Sequence, residues 1–316
     1  MDHAPAAPSG KTYPAPDPAV VDRLMRGAVD LHCHSGPSVM PRYCDHIEAM
    51  HEASEAGIGA LLIKDHYYSA TPITEMLNKH YGKLGVTLLS GVPLNNTTGG
   101  LNIYAVEHGI KLGARLVWMP TFSAKNHLDH HRKEKEDFKF PKTKIEMIQP
   151  TPLTVVDEQG KLRDEVIPIL ELIAEADIVL SAGHLHISEI WPLFEEAIKR
   201  GVKRLLVNHP TFVVDANLDD IRKLTAMGAY VEHSMCMFVP DSKFYFYTPE
   251  ILADLIEAAG VDKTILGSDL GQVGNPNITD GFRNVVETCL AIGRSEDEVR
   301  KMVSTNARQL IGLPAL

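Results

Sequence analysis

The sequence predicts an α/β chain folded as a (β/α)8 TIM barrel with an insertion between its fourth and fifth strands. Two observations predict it: a unit of helical stretch, glycine and short apolar run that recurs along the chain, and a spacing of one strand plus one helix between successive runs. The unit reads Glu55-Ala56-Gly57 into Ala60–Ile63, Lys83-Leu84-Gly85 into Val86–Leu89, and Lys111-Leu112-Gly113 into Arg115–Met119. It returns as Lys199-Arg200-Gly201 into Arg204–Val207, Ala226-Met227-Gly228 into Ala229–Val231, and Ala258-Ala259-Gly260 into Thr264–Leu266. A glycine closing a helix in the left-handed conformation, followed by an apolar run without alternation, is the signature of a strand buried on both faces. With Ala28–Leu31 in front and Asp177–Ser181 after the insertion, eight strands result, centred near Asp30, Leu61, Leu88, Val117, Val179, Leu205, Val231 and Leu266.

Residues 1–18 carry Pro5, Pro8, Pro14, Pro16 and Pro18, which denies them helix and ladder hydrogen bonds and predicts an extended arm. The barrel then occupies 19–316, interrupted by the insertion over about 123–165. That insertion holds a charged segment, His130–Asp137, expected as a solvated face or, more sharply, as a lid or subunit contact. It also holds a hairpin from Thr154–Asp157 turning at Gln159-Gly160.

Of the 316 residues 44% are hydrophobic, and 31 Lys+Arg against 41 Asp+Glu leave a net charge of −10. Such a surface argues against partners that are neutralised by basic side chains, so nucleic acid and anionic membrane are not expected. Apolar runs such as Gly59–Ile63 are far short of a membrane span, and no signal peptide is evident at the N-terminus. Cys33, Cys44, Cys236 and Cys289 show no metal-knuckle or disulfide spacing. A cytoplasmic homo-oligomer acting on a small molecule is the expectation.

Fifteen histidines are many for this length. Barrel enzymes work at the carboxyl ends of their strands, and windows after eight strands would catch about two histidines by chance. Seven fall there: His32, His34, His66, His184, His186, His209 and His233. In Asp30-Leu31-His32-Cys33-His34 the two imidazoles share one face by alternation, leaving Cys33 to pack on the other. His184, His209 and Asp269 end the fifth, sixth and eighth strands, each offering a ligand to the same rim. Neutral imidazole and carboxylate suit Zn²⁺, with Mn²⁺, Fe²⁺ or Ni²⁺ as alternatives.

This pattern of His-x-His, His, His and Asp resembles the amidohydrolase superfamily over roughly residues 27–312. The resemblance implies that His32, His34, His184, His209 and Asp269 hold one or two divalent ions, with Asp269 also the general base. The lysine that bridges two ions in many members would close the fourth strand, yet that strand ends Trp118-Met119-Pro120-Thr121. Lys64, closing the second strand in Ile63-Lys64-Asp65-His66, is the replacement candidate, as a carboxylated metal bridge, a substrate contact or a salt-bridge partner. His66 is a catalytic, substrate-contacting or metal-ligating candidate. Arg42, Tyr67, Asn95, His186 and Glu232 are candidates for substrate binding, with Glu232 alternatively a proton shuttle or the orienter of His209.

The expected activity is hydrolysis of a C–N or C–O acyl bond, in a cyclic amide, imide or lactone, by a metal-activated water. Phosphoester hydrolysis is an alternative, because Asp30–Ser35 and Lys64-Asp65-His66 resemble the first motifs of the polymerase and histidinol phosphatase family. Metal-dependent decarboxylation is another, and a non-catalytic metal or ligand-binding protein is the alternative outside enzymes.

Overall fold

The computed structural model describes residues 11–134 and 147–316. Its strands are β1 Val29–Cys33, β2 Ala60–Ile63, β3 Thr87–Leu89, β4 Val92–Pro93, β5 Leu116–Trp118, β6 Val179–Ser181, β7 Leu205–Asn208, β8 Tyr230–Ser234 and β9 Thr264–Gly267. All neighbours pair in parallel, in the orders β1-β2-β3 and β4 through β9. β3 and β4 are halves of one strand broken at Ser90-Gly91: the first half pairs with β2, the second with β5. Gly91 is required at the break, because a Cβ there would strike the Leu116 carbonyl. The nine segments therefore fill eight strand positions. The ring closes where Asp269 N donates to the His32 carbonyl at 2.6 Å and His34 N to that of Leu270 at 2.8 Å. The protein is a TIM barrel.

The six glycines of the recurring unit, from Gly57 to Gly260, all have φ between 74° and 100°. Each helix therefore stops where the sequence places its glycine, and the next strand enters the sheet in parallel. Inside the barrel, Val29, Leu31, Leu62, Trp118, Leu206 and Ile265 form a buried cluster, against which Ala307, Leu310 and Ile311 of the last helix pack. A register shift between Asp30 and Cys33 then changes the inward parity of β1. Leu31 joins the interior cluster, His32 and His34 face Asp269, and Cys33 packs in the layer outside the strands.

The arm ends earlier than expected. Pro18 is the first residue of the helix Pro18–Met25, capped by Asp17, a position that suits a residue lacking an N–H. Tyr13 is tied to Glu250 by a 2.6 Å hydrogen bond, and residues 1–10 of the expected arm lie outside the described residues. In the insertion, Lys125–Glu134 is helical, and the hairpin forms with Val156 opposite Leu162 and Asp157 N bonded to the Lys161 carbonyl at 2.8 Å. Lys135–Asp137 of the charged segment lie outside the described residues. Among the described residues no helix is long and apolar enough to cross a membrane, and all four cysteines are free and buried.

Candidate metal centre

The carboxyl ends of β1, β2, β6, β7 and β9 bring His32, His34, Lys64, His184, His209 and Asp269 to one end of the barrel. His32 Nε2 lies 3.1 Å and His34 Nε2 2.9 Å from Asp269 Oδ1. Their other nitrogens are already committed. His32 Nδ1 faces Glu232 Oε2 at 2.8 Å, and His34 Nδ1 faces the Lys64 carbonyl at 2.7 Å. Both partners accept, so both Nδ1 atoms donate, which leaves each Nε2 lone pair turned toward an acceptor-only carboxylate. With both imidazoles neutral these are three acceptors on one point, which repel unless a proton on His32 or a metal ion stands among them. Among the described residues this trio is the one group of His, Cys, Asp or Glu whose ligand atoms cluster, all within 4.8 Å. The donor set therefore fits a divalent ion of the zinc kind.

Electrostatics favour positive charge at the same place. Burial opposes a proton on His32, but the Asp269 and Glu232 carboxylates outweigh it and lift the imidazole to about 9. Burial would raise the Asp269 carboxyl, yet His32 and His34 hold it well below the usual range. Burial, with help from Arg42, lowers His34 to about 3. Lys64 Nζ lies 3.2 Å from His32 Nε2, and burial brings its ammonium down to about 8 despite Asp269 and Glu232.

His184 and His209 stand beside the trio, their rings 4.9 Å apart and His209 5.8 Å from His32. Burial holds both below the ordinary imidazole range, His209 at about 4. His184 Nε2 is buried without a hydrogen-bond partner. Two of these strand-end residues, His209 with φ 33° and Asp269 with φ 51°, sit in the left-handed region that branched and bulky side chains resist. Backbone strain of this kind concentrates at functional sites. Gly271 (φ 124°) follows Asp269 so closely that a Cβ would land on the His34 carbonyl oxygen.

A cavity of about 350 Å³ opens over His34 and Asp269 of the trio, lined also by Lys64, His66, His184 and His209 and by Phe122, Phe212 and Phe244. A second cavity of about 460 Å³ shares His66, Phe122 and His127 with it.

Residues 27–232 match a family of unknown function, DUF6282. The chain belongs to DUF6282. No curated protein matches it in sequence. In structure, this DUF6282 member is similar to an amidohydrolase from Pseudomonas aeruginosa, at 16% identity and TM-score 0.63, covering 94% of this chain and 98% of that one. It is also similar to a dipeptidase (12% identity, TM-score 0.57, covering 91% and 98%) and to 2,6-dihydroxybenzoate decarboxylase in complex with 2,6-dihydroxybenzoate (13%, TM-score 0.52, covering 91% and 100%). At these identities the likeness establishes the barrel.

Three sequence-derived candidates in the DUF6282 chain are engaged by hydrogen bonds within the protein. Glu232 is fully buried behind His32, bonded also to Asn208 Nδ2 at 2.6 Å and Ser234 Oγ at 3.0 Å. It orients His32 rather than His209 and has no surface for substrate. Asn95 spends its amide on the protein: Nδ2 donates to the His66 carbonyl and Thr121 Oγ1, and Oδ1 accepts from Thr121 N and Ser123 N. It fixes the His66 and Thr121 turns and lines the second cavity. His186 is the N-cap of the helix Ile187–Lys199, accepting from Ser188 N and facing Asp215, away from the cavity lining.

His66, Arg42 and Tyr67 reach the cavities as well. His66, bonded through Nδ1 to Thr121 Oγ1 at 2.9 Å and stacked on Phe122 at 3.5 Å, lines both. Arg42 lines the first and Tyr67 the second. Sequence reasoning missed His127, whose Nδ1 lies 3.0 Å from that of His184, and His131, which also reaches the cavity. Both belong to the insertion helix, so part of the segment expected to face solvent covers the site. Four-residue spacing of His127 and His131 was the available signal.

Proposed function

We propose that this protein is a metal-dependent hydrolase that opens a C–N or C–O acyl bond of a small molecule, in a cyclic amide, imide or lactone. The observation that carries this reading is the convergence of His32 Nε2, His34 Nε2 and Asp269 Oδ1 with both Nδ1 atoms already donating. Its likeness to an amidohydrolase and a dipeptidase supports a hydrolytic reaction on that centre. Phosphoester hydrolysis is disfavoured, since it calls for a larger ligand set than this trio and a seven-stranded barrel.

His32, His34 and Asp269 would hold one divalent ion, zinc by the nature of the donors, with His184 and His209 alongside. When bound, such an ion polarises a carbonyl oxygen and brings the pKa of water near neutrality. The chain's own groups do the rest. Glu232 and the Lys64 carbonyl fix the tautomers of His32 and His34. Asp269, ionised and at the cavity wall, takes a proton from the attacking water and returns it to the leaving group. His66, His184 and His209 are neutral through burial, so they offer hydrogen bonds to substrate oxygens without adding charge. Phe122, Phe212 and Phe244 exclude bulk water from the reacting bond.

The test is elemental analysis of protein purified without added metal, followed by chelation and turnover of a panel of lactones, cyclic amides and imides. One zinc equivalent per chain is expected, with turnover lost on chelation and restored by zinc. Folded protein that carries no metal and rebinds none would overturn the reading.

A further inference from the structure

Arg42 stands in the wall of the cavity that holds Asp269, and its Nε and Nη2 are buried without hydrogen-bond partners. These two N–H groups lie side by side on one edge of the guanidinium, the edge that grips both oxygens of a carboxylate at once. Asp65 and Asp269 are near enough to favour its charge, yet neither forms an ion pair with it. Arg42 is half-buried, but guanidinium N–H groups shut off from solvent with no acceptor are costly, so the position makes sense where an anion completes it.

The placement of Arg42 is built into the fold. Its backbone pairs antiparallel with Gln272, and Tyr43 N donates to the Gly271 carbonyl at 3.2 Å. The loop after β1 is thereby laced to the loop that follows Asp269, which fixes the guanidinium relative to the metal trio. The same cavity carries the aromatic rings of Phe122, Phe212 and Phe244 and the side chains of Met40 and Met237.

We infer that Arg42 anchors a carboxylate carried on a ring, making the substrate class small cyclic or aromatic monocarboxylates whose reacting bond is presented to Asp269. This rests on the hydrolase reading only for the reacting end; the anchor stands on the cavity. Carboxylate is favoured over phosphate because Asp65 and Asp269 beside the fork oppose the second negative charge of a phosphate dianion.

The experiment is calorimetric titration of the metal-loaded protein with benzoate, benzamide and phenyl phosphate. It compares wild type, Arg42→Lys and Arg42→Met, with metal content and thermal melting recorded for each. Wild type is expected to bind benzoate at least about tenfold tighter than benzamide. Arg42→Met should lower benzoate to the benzamide level, and Arg42→Lys, which keeps the charge but loses the fork, should fall between. Should Arg42→Met not fold, Arg42→Lys and the wild-type ligand comparison carry the test. Benzoate that does not bind, that binds both variants as well as wild type, or that binds no better than benzamide or phenyl phosphate overturns the anchor. Arg42-dependent benzoate binding by a chain that takes up no metal would sink the hydrolase reading alone. A full metal complement with Arg42-independent binding would sink the anchor alone.

Discussion

Glu232 accepts the Nδ1 proton of His32 across 2.8 Å, with both side chains buried and the carboxylate held in turn by Asn208 and Ser234. This bond decides which nitrogen of His32 keeps a lone pair for the trio.

Replacing Glu232 with Gln should therefore cost metal rather than fold. A glutamine amide can present its NH₂ to Nδ1, turn that nitrogen into the acceptor and place the proton on Nε2, where the metal would bind. Zinc affinity should fall about 10- to 100-fold. Competition with a chromogenic chelator measures it, and an affinity equal to wild type would remove Glu232 from the centre.

Lys64 brings an amine to within 3.2 Å of His32 Nε2. As an ammonium it repels a cation in the trio, so Lys64→Met should bind zinc at least as tightly as wild type. With one ion as the complement, added bicarbonate should leave metal content unchanged, and native mass spectrometry should show no carbon dioxide adduct. Two ions per chain with bicarbonate-dependent loading would instead make Lys64 a carboxylated bridge.

The parts of this site that were legible in the sequence are those that ride on strands. His32, His34, His184, His209 and Asp269 each sit a fixed step beyond an apolar run, and barrel geometry converts that step into a common place. Glu232 shows the limit of the method. Alternation turns it inward, but whether it meets His32 or His209 depends on the stagger between β1, β7 and β8, which a single strand's sequence does not encode. Asn95 and His186 show a second limit: a polar residue after a strand can serve the turn or the next helix as well as a ligand, and the sequence does not say which. His127 lies outside the strand-end pattern: it reaches His184 from an insertion that obeys no strand period, and only its four-residue spacing from His131 pointed to it.

Gly271 is where the loop after β9 meets β1. With φ 124° and no room for a Cβ beside the His34 carbonyl, Gly271→Ala should shift both the Asp269 loop and His34. A cost of ~3 kcal/mol or more is expected. In a chain of this size that lowers Tm by about 5 °C, and zinc affinity should fall with it. A melting temperature within a degree or so of wild type would contradict the close approach.

The buried imidazoles set the pH dependence of stability. Burial holds His46, His209 and His233 at about 4 in the folded chain, against 6.5 for an unburied imidazole. Between those values the unfolded chain binds more protons, so stability is lost as pH falls from 6.5 toward 4. Asp30, raised by burial to about 6, acts in the opposite sense over part of that window and is outnumbered. His32, lifted to about 9 by Asp269 and Glu232 against its own burial, contributes stability that is fully present below 6.5 and fades as pH rises through 9. Metal-free protein should thus melt highest near neutral pH, with Tm lower by about 5 °C or more at pH 5. Thermal melts across that range measure it. His233 has its buried Nε2 without a partner, so His233→Leu should flatten the acid limb. A limb as steep in that variant as in wild type would mean that other groups carry the acid sensitivity.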